Sequence, residues 1–312
     1  SNATVTPNTV AATAAVGTST PLGFAGPSTV GTVVKGHTLA TIAVNYAMAQ
    51  NEVLQDNELT TGSLTMQNGV TVRNVKVKSF TDLFNGGGLM EFCDLGPTSG
   101  QESTVVHPAL RRAISFAEGT IRRCDIRGMI DGAFGGGDLF FEDCWFHGNY
   151  KMASDPDQSG ASHCDSVAIT KSNGGLLRCR LDMFPWLAGQ TFDQWDDGTW
   201  PLPSTAFGQP NQPTGTQIII IGRTSTTAPQ INGWTIDSCR LAGNLAGNMI
   251  IIFADTQGLQ PQNLIFRNNV IDGADDTRTS DYAGRVDELS KTLPTNRDAL
   301  ATERANRIAG TF

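Results

Sequence analysis

Glu142-Asp143-Cys144-Trp145-Phe146 is one copy of a phrase that returns along the chain. The other copies are Val72-Arg73-Asn74-Val75, Glu91-Phe92-Cys93-Asp94-Leu95, Arg122-Arg123-Cys124-Asp125-Ile126, Leu177-Arg178-Cys179-Arg180-Leu181, Asp237-Ser238-Cys239-Arg240-Leu241 and Arg267-Asn268-Asn269-Val270-Ile271. Each carries Cys or Asn at a fixed place, followed by an apolar residue. A short β unit that recurs every ~20 to 35 residues, with one longer interval, is the signature of a solenoid.

A second series of short apolar strands lies upstream of several copies: Ala113–Phe116, Ser166–Thr170, Ile218–Ile221 and Ile250–Phe253. Gly119, Gly137, Gly174, Gly175 and Gly233 precede the phrase, where tight turns require positive φ. Helical periodicity is absent between about residues 30 and 275, which disfavours a βαβ barrel or a doubly wound sheet. The expected fold is all-β, a single-stranded right-handed parallel β-helix. Stacked coils lie about 4.8 Å apart, so Cys93, Cys124, Cys144, Cys179 and Cys239 should form a ladder of buried, reduced thiols. No CxxC or His-Cys spacing suggests a metal cluster.

The chain of 312 residues carries 22 basic and 30 acidic residues, a net charge of −8. That balance argues against nucleic acid and against an anionic membrane surface as partners. No apolar run reaches the ~18 residues of a membrane span. Ser1-Asn2-Ala3 reads as a tag-cleavage remnant, and residues 1–30 as that remnant plus a linker or extended arm. Residues 31–275 form the β-helix. Residues 276–312 change character: Ser280 to Thr292 and Thr295 to Ala309 have helical patterns, with Gly310 at a C′ position. They are expected to cap the open last coil.

Polar chemistry concentrates in His147–Asp157 and His163–Ser166. His163 and Asp165 share a strand face and are candidates for acid/base catalysis or for contact with a glycan. A bulge or turn at Ser166 would turn them outward, away from an apolar core that disfavours an unpaired Asp. Asp155, Asp157 and Asp165 are candidate carboxylates for acid/base hydrolysis of a glycosidic bond, with Asp131 and Asp138 as further partners. The alternative reading of His163 and Asp165 is a hydrogen-bonded pair that pins the loop. Asp155, Asp157 and Asp165 could also bind Ca²⁺, or Ser154-Asp155-Pro156 is simply a turn. His147 and Lys151 are candidate substrate contacts.

An insertion at residues 184–215 holds Trp186, Trp195 and Trp200 with Asp193, Asp196 and Asp197. Its aromatic faces suit sugar C–H surfaces and its carboxylates suit hydroxyls; the alternative is that the rings pack the loop onto the wall. No Walker loop, zincin motif or GxSxG elbow occurs.

Residues 30 to 275 resemble the pectate lyase-like superfamily of right-handed parallel β-helices, which includes polygalacturonases and phage tailspikes. Asp131-Gly132, Glu142 to His147, Asp155-Pro156 and His163-Cys164-Asp165-Ser166-Val167-Ala168-Ile169 resemble a pattern of actinobacterial secreted β-helix proteins and of minor tail proteins of their phages. His163 to Ile169 is also similar to the Asn-Thr-Asp-Gly segment of polygalacturonases, which aligns Asp165 with a catalytic Asp, although the remaining polygalacturonase signatures are missing. The resemblance implies a polysaccharide or cell-surface glycan as partner, an extracellular or virion-tail location and a homotrimer. Three expectations stand together: a glycan-recognising tail protein that cleaves its ligand or only binds it, a secreted lyase or glycoside hydrolase, and a structural fibre segment.

Overall fold

The computed structural model describes residues 25, 30–32, 39–42, 45–60, 63–77, 86–96, 112–115, 117–135, 137–151, 155, 162–183, 186–187, 217–221, 230–243, 250–252 and 261–272. Most of the arm, most of the insertion and the expected C-terminal cap lie outside them. The described residues are all β and contain no helix.

Three sheets dominate, with nine, eight and five strands, and all their pairings are parallel. From Gly86–Glu91 onward the chain visits them in rotation: eight-stranded, nine-stranded, five-stranded, then eight-stranded again one rung further on. This arrangement is compatible with the parallel β-helix expected from the repeat. The strands are short because each coil has only a few residues to spend on each side. Their inward side chains build one core, including Val72, Met90, Ile121, Phe141, Leu176, Ile236 and Phe266, all nearly inaccessible. Each such side chain contributes about 1.5–3 kcal/mol by leaving water.

The recurring phrase is the turn from the eight-stranded to the nine-stranded sheet. Its register explains its composition. Asn74, Phe92, Arg123, Asp143, Arg178, Ser238 and Asn268 occupy one position and all have φ between 51° and 56°. The next position is the ladder. It holds Val75, Cys93, Cys124, Cys144, Cys179, Cys239 and Asn269. The first copy therefore differs from the sequence reading: Asn74 belongs to the left-handed position, and Val75 stands in the ladder.

The ladder position selects for a small donor. Cys144 Sγ donates to the carbonyls of Ile121 and Glu142, both at 3.4 Å, and Cys239 Sγ to those of Leu176 and Asp237, also at 3.4 Å. Two of these carbonyls also accept a backbone N–H from the neighbouring rung, Glu142 from Arg123 at 2.9 Å and Asp237 from Arg178 at 3.0 Å, so the thiol is a second donor to oxygens with two lone pairs. All six cysteines are free and buried, the five of the ladder as expected and Cys164 as well. Burial pushes the Cys124, Cys144 and Cys239 thiols well above their ordinary value.

A second left-handed position precedes the eight-stranded sheet, at Asn51, Gly69, Asp138, Asn173, Gly233 and Asn263. The sequence suggests positive φ at Gly137, Gly174 and Gly175 as well as at Gly119 and Gly233, but near the first three the left-handed residues are Asp138 and Asn173. Gly174 is needed for space instead: a Cβ there would lie 2.5 Å from the Leu139 carbonyl and 2.6 Å from the Trp234 ring.

Candidate functional site

The five-stranded sheet contains the strands Arg112–Ser115, Asp131–Phe134, Asp165–Ile169, Gln217–Ile221 and Ile250–Ile252. Asp165 pairs with Gln217, Val167 with Ile219 and Ala168 with Ile220, while Ala133 pairs with Val167 on the other side. The offset never changes, so no extra residue is inserted at Ser166. The expected bulge is absent.

The consequence is that His163 and Asp165 part company. His163 is exposed, whereas all five residues of Asp165–Ile169 are buried. The strand begins at Asp165, so His163 lies ahead of it and strand alternation does not fix its face. Asp165 is 6% exposed and is held by its neighbours. Its N–H donates to Asp131 Oδ1 at 3.3 Å, and Asn149 Nδ2 donates to its carbonyl at 3.4 Å and to that of Ile130 at 3.0 Å. Arg112 Nε stands 3.9 Å from Asp131 Oδ2, and its guanidinium lies 3.6 Å over the Phe134 ring.

Asp155 is buried. Lys151 lies on a short strand, Tyr150–Lys151, which pairs with Trp186–Leu187 at the start of the insertion. Asp157, Trp195, Trp200, Asp196 and Asp197 lie outside the described residues. Among the described residues, no three His, Cys, Asp or Glu side chains gather as a metal site; the Ca²⁺ reading also needs Asp157.

His147 sits elsewhere, on the nine-stranded sheet. It is 2% exposed, its ring is stacked 3.6 Å from that of Trp145, and its Nε2 is 2.6 Å from Asp125 Oδ1. Asp125 Oδ2 also takes Arg127 Nη1. Trp145 Nε1 donates to Asp182 Oδ2 at 2.9 Å, and Arg180 Nε bonds the same oxygen. Ala25 and Val30 of the arm pack on Trp145. Thr32 N and Oγ1 donate to the two oxygens of Asp94 at 3.1 and 2.9 Å. Burial pushes the Asp94 carboxyl above its ordinary value, opposed by Arg127 and by Thr32. Asp125, Arg127 and Asp182 were not singled out in the sequence. A signal existed: Asp94, Asp125, Trp145 and Arg180 each follow the ladder cysteine, so the phrase itself marks a polar sheet face.

The two clusters differ chemically. The His147 group is a closed set of buried ion pairs beneath the arm, built for cohesion. The corner holding His163, Asp165 and the start of the Trp-rich insertion meets solvent through His163. Comparison of the chain with family models, curated proteins and solved structures finds no match.

Proposed function

We propose that the chain is a right-handed parallel β-helix protein of the phage-tail or tailspike type, extracellular or virion-borne, that recognises a polysaccharide on a cell surface. The observation that carries this reading is where the long connections leave the stack. The eight-stranded sheet passes to the nine-stranded one through a pair of residues in coil after coil, for example Phe92-Cys93 and Arg178-Cys179. The stretches 97–111, 152–164 and 188–216 each lie in sequence between a strand of the nine-stranded sheet and the next strand of the five-stranded one. Variable loops raised on a rigid scaffold are where recognition is built. His163 is exposed just ahead of the five-stranded sheet, and the stretch of sequence carrying Trp195, Trp200, Asp196 and Asp197 follows Trp186–Leu187, the short strand that pairs with Tyr150–Lys151.

Burial of Asp165 favours recognition over cleavage, because a general acid must reach the glycosidic oxygen directly or through one water. The test is a binding screen of the full chain against cell-wall glycans and uronic-acid polymers. It runs alongside assays for new reducing ends and for the ultraviolet absorbance of an unsaturated uronate. Binding without turnover, weakened in Trp195→Ala, Trp200→Ala and His163→Ala, is the expected result. Turnover lost in Asp165→Asn would replace recognition with catalysis, and silence on every glycan would leave the fibre reading.

A further inference from the structure

The described residues expose three large hydrophobic side chains, Val53 at 62%, Phe140 at 44% and Ile265 at 42%. All three fall at one register position of the eight-stranded sheet. That position runs from Val53 on the first rung, through Thr120 and Phe140 at the centre, to Ile265 on the eighth. None of its residues is charged. At roughly 4.8 Å per rung it makes a stripe about 34 Å long. Two residues along each strand runs a second stripe, in which Arg73, Arg122 and Arg267 balance Glu91, Glu142 and Asp237. In a chain of net charge −8, this is a face on which two copies can approach without repulsion.

The order of residues goes further. We infer that the outer face of the eight-stranded sheet is the docking surface for a second copy of this chain, placed antiparallel about a two-fold axis between the Thr120 and Phe140 rungs. Such an axis sets each rung against the rung equally far from the other end. Val53 then meets Ile265, Thr71 meets Thr235, Leu89 meets Gly175, and Thr120 meets Phe140. The large Leu89 finds the one position without a side chain. In the neighbouring stripe Arg73 meets Asp237 and Arg122 meets Glu142, opposite charges in both cases. The arginines keep exposure for this after pairing within their own chain: the side chains of Arg73 and Arg122 are 45% and 42% exposed while bonded to Glu91. Self-complementarity of this kind is what an isologous interface requires. A parallel, rung-matched arrangement about an axis along the charged stripe would instead set Arg73, Glu91 and Arg122 beside their own kind. The inference is independent of the glycan reading and differs from the homotrimer that the family resemblance implies.

The test uses the full chain, sedimentation velocity over a concentration series, and engineered cysteines. The native thiols are buried, so a mild oxidant acts on the new ones alone. Thr71 and Thr235 stand at opposite ends of one chain and meet only across the two-fold axis. Thr71→Cys with Thr235→Cys in one chain should therefore give a disulfide-linked dimer, and either substitution alone should not. Phe140→Lys should raise the dimer dissociation constant about tenfold or more while leaving the thermal midpoint of the separated monomer unchanged. A monomer at all concentrations overturns the inference, and so does a trimer. Cross-linking of Thr71→Cys to itself overturns it in favour of a parallel assembly. Loss of glycan binding in Phe140→Lys without any change of mass overturns it too and assigns the stripe to the glycan.

Discussion

Asn269 stands one rung beyond Cys239 in the same ladder. Its Oδ1 accepts the Cys239 N–H at 2.8 Å, and its Nδ2 donates to the Ile236 carbonyl at 2.9 Å. The amide thus makes the donation that Cys239 Sγ makes to the Leu176 carbonyl one rung earlier. Cys and Asn can replace each other in this position because both are compact donors to a carbonyl of the preceding rung.

That equivalence predicts the outcome of truncation. Cys179→Ala removes donation to the Phe141 and Leu177 carbonyls, both at 3.5 Å, and leaves a small void. It should cost about 1–3 kcal/mol in equilibrium unfolding. In the native protein none of the six thiols should react with a thiol reagent, and all should react once the chain is unfolded. Rapid labelling of a ladder cysteine under native conditions would contradict the buried ladder.

The same reasoning shows what was legible beforehand. The repeat, the cysteine ladder and the second strand series could be read because the period of the coils is written into the phrase itself. The one-residue slip at Asn74 arose because Asn serves two neighbouring positions, the left-handed turn and the ladder, for different reasons. His163 and Asp165 share a face only if one strand holds both, and the strand begins at Asp165. The strand Asp131–Phe134 is not legible in the sequence because Asp131-Gly132-Ala133-Phe134 has a weak apolar pattern; its pairing partners, 19 and 34 residues away, are what make it a strand. Which residues share a face across coils is set by register, and register is not local.

Left-handed positions give a second prediction. Phe92 has φ of 54°, a conformation that costs a residue with a Cβ roughly 1–2 kcal/mol. Phe92→Gly should raise the thermal midpoint or leave it level, against the usual effect of removing an aromatic ring. Gly119 should behave in the opposite way. It has φ of 108°, and a Cβ there would lie 2.1 Å from the Gly88 carbonyl oxygen. Gly119→Ala therefore has no conformation open to it without separating two rungs, and should unfold well below the parent protein.

Glu91 sets the pH dependence. Burial pushes its carboxyl up, but Arg122 and Arg73, on the rungs either side, together outweigh burial and hold it below the ordinary glutamate value. Asp237 is likewise buried yet held low by Asn268, Arg267 and Ser238. A carboxylate whose folded pKa lies below its unfolded one contributes stability that is complete above the unfolded value and is lost as pH falls through the folded one. Stability should therefore decline on the acid side, below the ordinary carboxylate range. Glu91→Gln should be less stable than the parent at neutral pH, and the gap should close as the pH is lowered. Denaturant titrations across that range decide the matter: a gap of constant size would mean that Glu91 acts by packing rather than by charge.

The arm supplies the last prediction. Gly31 donates its N–H to the Arg123 carbonyl at 2.9 Å, and a Cβ on it would lie 2.1 Å from Asp94 Oδ1. Thr32 then closes on Asp94 with two donors. These two residues fasten the arm over Trp145, and with it the buried pairs of Asp125, Arg127, His147 and Asp182. Thr32→Val deletes one donor to a buried carboxylate and should cost about 1–3 kcal/mol. Asp94 then loses one of the contacts that oppose burial, so its carboxyl should titrate at still higher pH. Gly31→Val should go further and lift the arm, exposing the Trp145–His147 stack. Tryptophan fluorescence should shift to the red, hydrogen exchange should rise across Trp145–His147, and proteolysis should begin within the first thirty or so residues while the stacked sheets stay intact. A Gly31→Val protein with unchanged exchange at Trp145–His147 would mean that the sheet face is closed by something other than this arm.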